Sequence, residues 1–405
     1  MLIYWLWYAG LRGISLPHKL ALLKYFADPE ELYHTRQEVL QRIPGVTAQM
    51  IAALENKDMS EAERILQACE EKGIGIVVYA EQGYPSRLRN TYDPPIVLYF
   101  KGTLPDWENL PVVGIVGTRK ATPYGMNTAL RFGKQIAACG ALVISGGASG
   151  IDTMAMQGAI DAGKPVIAVL GCGVDVVYPK SNRKLFSLVA ENGCLLSEYP
   201  PKTQPAPWNF PERNRIISGI SNGLLVVEAP SKSGALITAQ RAMEQGRDVF
   251  SVPGNVDVEA CTGSNALLQD GAIPALSGWD VVKEYEVLYP GAVRRRELPE
   301  QAAEEQLKVA QNPAIPVITE TTDLEKDKKS IDKEQKSTYS VLDKQSPALS
   351  EAEQTILARI PQTPMTVDEL IALSELPAGM VKSVLTKLAL KRLVTNHPGG
   401  RVSRK

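Results

Sequence analysis

Arg119 stands two residues beyond Gly117, and a second glycine-rich turn, Ser145-Gly-Gly-Ala-Ser-Gly150, follows it in the chain. A guanidinium can hold an anion through two parallel N–H bonds, and glycine lets backbone amides come close to the same anion. Phosphate is the anion that suits this combination. Gly117, Gly146, Gly147 and Gly150 are weak signals by themselves, because every α/β fold needs tight strand-to-helix turns. Arg119 beside them raises the signal, and Ser149 adds a hydroxyl. A second constellation is Phe210-Pro-Glu-Arg213-Asn-Arg215, where an aromatic ring beside arginines suits a stacked base with its phosphates. Offsets of three, four and seven put Arg213, Ile216, Ile217 and Ile220 on one helical face and point Arg215 the other way. With Pro211 as first helical residue, Phe210 is expected at the helix mouth and Arg213 in the crevice.

Catalysis has less to work with. The three histidines, His18, His34 and His397, all lie outside the central region, which leaves Asp152, Asp175, Glu198 and Glu228 as acid–base candidates. No nucleophile stands with a base, and Asp152 is placed to serve a helix N-terminus. Gly158-Ala-Ile-Asp-Ala-Gly163-Lys164-Pro165 imitates a phosphate-binding P-loop but ends a helix instead of opening one, and proline replaces the required hydroxyl residue. Five scattered cysteines without a C-x-x-C pair suggest neither disulfides nor a zinc site, so a reducing cytoplasm is expected. Neither cofactor nor metal is implied. The apolar start, MLIYWLWYAGLRG, is too short to span a bilayer and reads as the first helix of a domain.

These residues need elements to position them. Strand-length runs rich in Val, Ile and Leu alternate with helix-length segments from Val112 to Val252, which specifies a Rossmann-like, doubly wound parallel sheet. In the usual order 3-2-1-4-5, strands one and four are neighbours, which would bring Arg119 to the Phe210–Arg213 segment. Around this core, 74–286, the pattern predicts a helical domain at 1–73, a flexible polar tether at 287–347 and a winged helix at 348–405. The turn Arg42-Ile-Pro-Gly-Val46 fits a helix-hairpin-helix, a unit that serves as scaffold or as a grip on a DNA backbone. Net charge is −1, yet 111–250 holds 14 Lys and Arg against 9 Asp and Glu, and the last 25 residues hold seven basic residues and no acidic one. Two basic regions sit in a neutral chain.

Taken together, GIVGTRKATPYG, SGGASGID, IAVLGCGVDVVYPKSN, LLSEYPPKTQPAPWNFPERNRIISG, LLVVEAPSKSGALITAQRAMEQGRDVFSVPGN and GSNALLQDGA resemble the DNA-processing protein A family, also called Smf. The resemblance covers residues 76–286, and the helical and winged-helix ends fit the family's larger members. It implies a dimeric single-stranded DNA binder that brings RecA recombinase to incoming strands in natural transformation, with no catalytic turnover. By motif, Arg119 matches the family's phosphate-gripping arginine, and Phe210, Arg213 and Arg215 match its FPxRNR segment. The family commonly has SGLARGID where this chain has Gly147 and Ser149, so one phosphate contact is expected to be lost or weakened. Two competing readings are an enzyme like the nucleotide phosphoribohydrolases of the lysine-decarboxylase-like superfamily, whose PGGxGTxxE stretch is missing here, and a duplex-DNA regulator acting through the winged helix.

Overall fold

A computed structural model describes residues 1–296 and, farther on, 351–363, 365–374, 381, 384–385, 387–389, 393–397 and 401–404. Contacts divide the chain into two compact units, Met1–Glu305 and Gln306–Lys405.

The first unit opens with six helices, α1 (Leu2–Gly10), α2 (Leu16–Leu22), α3 (Pro29–His34), α4 (Gln37–Leu40), α5 (Ala48–Glu55) and α6 (Ser60–Lys72). Gly73 ends α6 in the left-handed conformation that glycine adopts without strain. The expected helical hairpin is present, with Gly45 at φ 83 between α4 and α5 and Thr47 capping α5 through the Met50 amide. These helices are not a separate body, since Trp5, Leu6, Leu32 and Leu54 belong to the same apolar cluster as Val78, Tyr99 and Val143 of the sheet.

The sheet has nine strands: β1 (Gly75–Val78), β2 (Val97–Gly102), β3 (Val112–Val116), β4 (Leu142–Ser145), β5 (Val166–Val169), β6 (Cys194–Ser197), β7 (Gly223–Val226), β8 (Asp248–Ser251) and β9 (Ile273–Pro274). Their order is β1-β2-β6-β5-β4-β3-β7-β8-β9. β6 to β9 run parallel, whereas β1 and β2 pair antiparallel at the β6 edge. Along β3, Val113 and Ile115 enter one apolar layer and Val112 and Val116 the other, the period of two that a strand covered on both faces requires.

The expected strand order needs correction. Counting parallel strands from β3, it is 4-3-2-1-5-6-7, not 3-2-1-4-5, so the first strand adjoins the fifth. After the short α7 (Ser86–Arg89), three helices, α8 (Pro123–Ala138), α9 (Ile151–Asp161) and α10 (Arg183–Asn192), wind on one face before α11 (Asn209–Ile220) crosses to the other with α12 (Gly234–Glu244) and α13 (Thr262–Gln269). The direction of winding therefore reverses between β3 and β7.

Helices α8 and α9 pack at glycine contact: a Cβ on Gly133 would lie 2.1 Å from the Ala155 carbonyl oxygen, and one on Gly158 would lie 2.1 Å from that of Leu130. Gly158, the first glycine of the P-loop imitation, is thus a packing residue, and Gly163 at φ 65 closes α9. The close approach sets the glycine turns before the two helices side by side.

The core also runs past its expected end at 286. Val293 is buried, the Arg294 amide donates to the Cys139 carbonyl (3.0 Å), and Arg87 donates to the Tyr289 hydroxyl (2.8 Å). The rest of the expected tether, 297–347, lies outside the described residues. In the second unit, helices Glu351–Arg359 and Val367–Ser374 pack with a three-stranded sheet in which Val394–His397 and Arg401–Arg404 form the expected hairpin. The third expected helix lies largely outside the described residues, and its described positions from 384 to 389 are helical.

Candidate nucleic-acid interface

Arg119, Phe210, Arg213 and the 146–149 turn meet at the carboxyl edge of β3, β4 and β5. A pocket of about 60 Å³ opens there, lined by Arg119, Gly146 to Ser149, Gly171, Tyr178, Phe210 and Arg213. A cleft that takes a whole ligand measures roughly 300 Å³ or more, so this one has room for a phosphate-sized group only. Phe210 is half-buried at its rim. The Arg119 guanidinium lies over its ring at 5.3 Å, and the Tyr178 ring stands 5.5 Å away with an interplanar angle of 36°.

Helix α11 brings Phe210 to Arg119, not adjacency of strands one and four. It begins two residues earlier than the sequence suggested, because the buried Asn209 side chain donates to the Gly171 carbonyl (3.0 Å) and draws the first turn onto the β5 exit. Phe210 therefore sits inside the first turn and Pro211 is the third helical residue.

Arg119 is exposed, and its contact among the described residues is the Phe210 ring. Three helix N-termini converge on it. Thr122 caps α8 by accepting from the Gly125 amide (3.1 Å), Gly150 opens α9 with its backbone against that of Arg119, and Phe210 opens α11. Positive helix ends attract anions, and the α8 and α9 ends already face the buried carboxylates of Glu228 and Asp152, the second of which Arg119 also favours in its charged form. Gly150 holds φ 81, and a Cβ there would lie 2.5 Å from the Thr118 carbonyl oxygen, which makes glycine necessary for the two turns to touch. Ser149, half-buried, lines the pocket with no cation in the same turn.

Arg213 reaches the crevice from below. It is 4% exposed, and its Nη1 donates to the Gly146 carbonyl (2.5 Å) and to that of Val169, tying the ends of β4 and β5 together. Burial draws its guanidinium down to about 10, against the pull of Asp152. Asp152 is buried beneath the same turn and accepts from the Ala148 amide (3.2 Å). Burial pushes its carboxyl up to about 6, opposed by Arg213, by the backbone amides of Ala148 and Gly146, and by Arg119. A Cβ on Gly146 would fall 2.6 Å from Arg213 Nη2 and 2.7 Å from Asp152 Oδ2, so only glycine leaves both side chains in place.

Arg215 does not belong to this site. It is buried on the far side of α11, where it pairs with Glu198 (2.5 Å) and the half-buried Asp93 (3.3 Å), and turning to the pocket would leave the largely covered Glu198 carboxylate without its partner. Glu198 is held by that pair. Glu228, fully buried, accepts from the Thr122 amide (2.8 Å) and hydroxyl (2.6 Å) and fixes the start of α8. Asp175 pairs with Lys72 of α6. All four carboxylates thus have structural partners, and Cys261, the thiol that lies against Glu228 (3.8 Å), is buried with its pKa pushed up by burial and by that carboxylate.

Two residues of the site were not singled out from the sequence. Asn182 donates to the Gly147 carbonyl (3.0 Å) and the Thr153 hydroxyl (2.9 Å), steadying the second turn, and Tyr178 supplies the second ring. Their signal is the YPKSN string, in which tyrosine and asparagine are four residues apart after the β5 exit. Among the described residues, no group of His, Cys, Asp and Glu could hold a metal ion, and no helix is long and apolar enough to cross a membrane.

Comparison with known proteins agrees with this geometry. The family model for DNA recombination-mediator protein A matches residues 75–286, and that for the DprA winged helix domain matches 342–400. The chain is 32% identical to Protein Smf of a Synechocystis species over 99% of its own length and 98% of that protein's. It is 42% identical to DNA processing protein DprA of Bacillus subtilis over 55% of this chain and 74% of that one. The X-ray structure of DNA processing protein A from Streptococcus pneumoniae superposes with a TM-score of 0.61 at 33% identity, covering 70% of this chain and 98% of that one.

Proposed function

The chain belongs to the DNA recombination-mediator protein A family, and from that premise we propose that it binds single-stranded DNA at the Arg119–Phe210 crevice and hands it to RecA recombinase during natural transformation. The observation that carries the reading is the placing of Arg119 against the Phe210 ring, above a phosphate-sized pocket at three helix N-termini. A phosphate enters between the Arg119 guanidinium and the amides of the 146–150 turn, and Arg213 adds charge from beneath. As the guanidinium swings to the phosphate it uncovers the ring, and an unpaired base stacks there. A duplex keeps its base faces in its own stack, so the same site favours single strands without reading sequence. Ser149 gives this turn one cation fewer than the family's usual pattern, which leaves Arg119 the larger share of the grip.

A homodimer through the sheet unit and a role without turnover complete the reading. The carboxylates near the crevice are committed to structure, which supports binding over catalysis. Titration with labelled single-stranded and duplex oligonucleotides at two salt concentrations tests it. Single strands are expected to bind more tightly, and Arg119→Ala should weaken all sequences alike and lower the salt slope by about one counterion. Equal affinity for duplex, or an unchanged slope in the variant, overturns it.

A further inference from the structure

Two residues in the loop from Tyr199 to Trp208 are placed as folding alone does not require. Trp208 is 71% exposed, whereas Trp5, Trp7 and Trp107 are buried. Its backbone is nevertheless fixed, because Pro205 and Pro207 restrict the chain before it and the buried Asn209 is anchored to Gly171 after it. A ring of this size held in water gains no burial energy. Lys202 is the second. It is the one non-glycine residue at positive φ (67) among the described residues, and its amide donates to Asp175 Oδ1 (2.8 Å). Glycine would hold that turn without strain, yet an exposed lysine occupies it.

The β5 exit orders these residues. Gly171 lines the phosphate-sized pocket and binds Asn209, the Gly173 amide donates to the Thr203 carbonyl (3.0 Å), and Asp175 holds Lys202. The loop thus leads away from the pocket along one rim, with Trp208 nearer and Lys202 farther. Lys72 pairs with Asp175 and offsets the closest negative charge.

The geometry points to a second contact on the path of the single strand: a base stacked on Trp208 and a phosphate on Lys202, beyond the nucleotide held by Phe210 and Arg119. The inference rests on the reading of the pocket as a single-strand site, and the test separates the two. An oligothymidine of about 20 nucleotides spans both contacts, whereas one of about three reaches only the first. Trp208→Ala is expected to weaken the long oligonucleotide about tenfold and leave the short one unchanged. Trp208→Phe keeps most of the affinity but abolishes the quenching of tryptophan emission that the long strand causes. Lys202→Gly should raise the melting temperature by relieving the backbone while weakening the long strand and lowering its salt slope by about one. If both variants bind the long strand like the parent while Arg119→Ala still fails, the second contact is overturned and the first stands. If the parent binds neither oligonucleotide, both readings fall.

Discussion

The two ends of α11 carry arginines put to opposite uses. At its C-terminal end Arg87 donates to the Ile220 carbonyl (2.8 Å), to the Tyr289 hydroxyl (2.8 Å) and to the Trp107 carbonyl, and Arg247 donates to the Gly219 carbonyl (3.0 Å). Cations belong at that pole of a helix, and burial draws both guanidinium groups below their usual range, opposed at Arg87 by Tyr289 and Glu108. At the N-terminal end Arg119 is exposed and has no hydrogen bond or ion pair among the described residues, its ring contact being Phe210 and its nearby opposite charge the buried Asp152. An arginine that donates to the last carbonyls of a helix and to the elements packed against it is explained by the fold. The fold does not use the nitrogens of Arg119 in this way, which leaves them facing the pocket.

The sharpest way to break this contrast is at the structural end. Arg87→Ala leaves two buried carbonyls and a tyrosine hydroxyl without their charged donor, and should cost about 3 kcal/mol of stability. Thermal or urea unfolding measures it, and single-strand affinity below the transition should be unchanged. Loss of binding by a fully folded Arg87→Ala protein would mean that the two ends are not functionally distinct.

At the binding end the expected signs reverse. Phe210→Ala removes the stacking surface and should lose about one to two orders of magnitude on single strands, with little change on duplex, since one stacked base contributes roughly 1–3 kcal/mol. The melting temperature is the control, because the ring also rests on Gly171, where a Cβ would lie 2.9 Å from Phe210 Cδ1. A large fall in melting temperature would make Phe210 a core residue, and equal losses on both substrates would leave charge as the whole of the grip.

This contrast also shows which parts of the molecule are legible in the chain. The alternation of apolar strands and helices, the glycine turns and Arg119 are local signals, and each falls where the residues place it. Strand order is not local. Whether α10 or α11 crosses to the second face depends on where each helix can bury its stripe, and no residue near Phe210 states that the fifth strand will lie beside the first. Arg213 and Arg215 are two residues apart and both arginine, and the helical period separates their faces correctly, yet it cannot say that Glu198 and Asp93 wait on one side and the carbonyls of Gly146 and Val169 on the other. The residues around Tyr289 and Val293 read as the start of a polar tether because their apolar partners, far away in sequence, are supplied by the fold.

The smallest expected effect tests how close the bound phosphate comes to Asp152. Its carboxyl, raised by burial to about 6, is largely ionised at neutral pH beneath the pocket. Because the folded protein holds this proton more tightly than the unfolded chain, the contribution to stability is greatest at low pH and declines as pH rises toward 6. A phosphate seated at the 146–150 turn adds negative charge above the carboxylate and raises its pKa further, so binding takes up a proton. Affinity should therefore fall about three- to tenfold as pH rises through 6 and then level off. The other charged groups that face Asp152 are the guanidinium groups of Arg213 and Arg119. Asp152→Asn keeps an acceptor for the Ala148 amide and removes the titration, so its binding should be flat across the same range. A flat profile in the parent protein would place the phosphate away from this turn, and the same slope in both proteins would trace the proton to another group. A slope present only in the parent ties the anion to the pocket that the Phe210 and Arg119 variants probe from its rim.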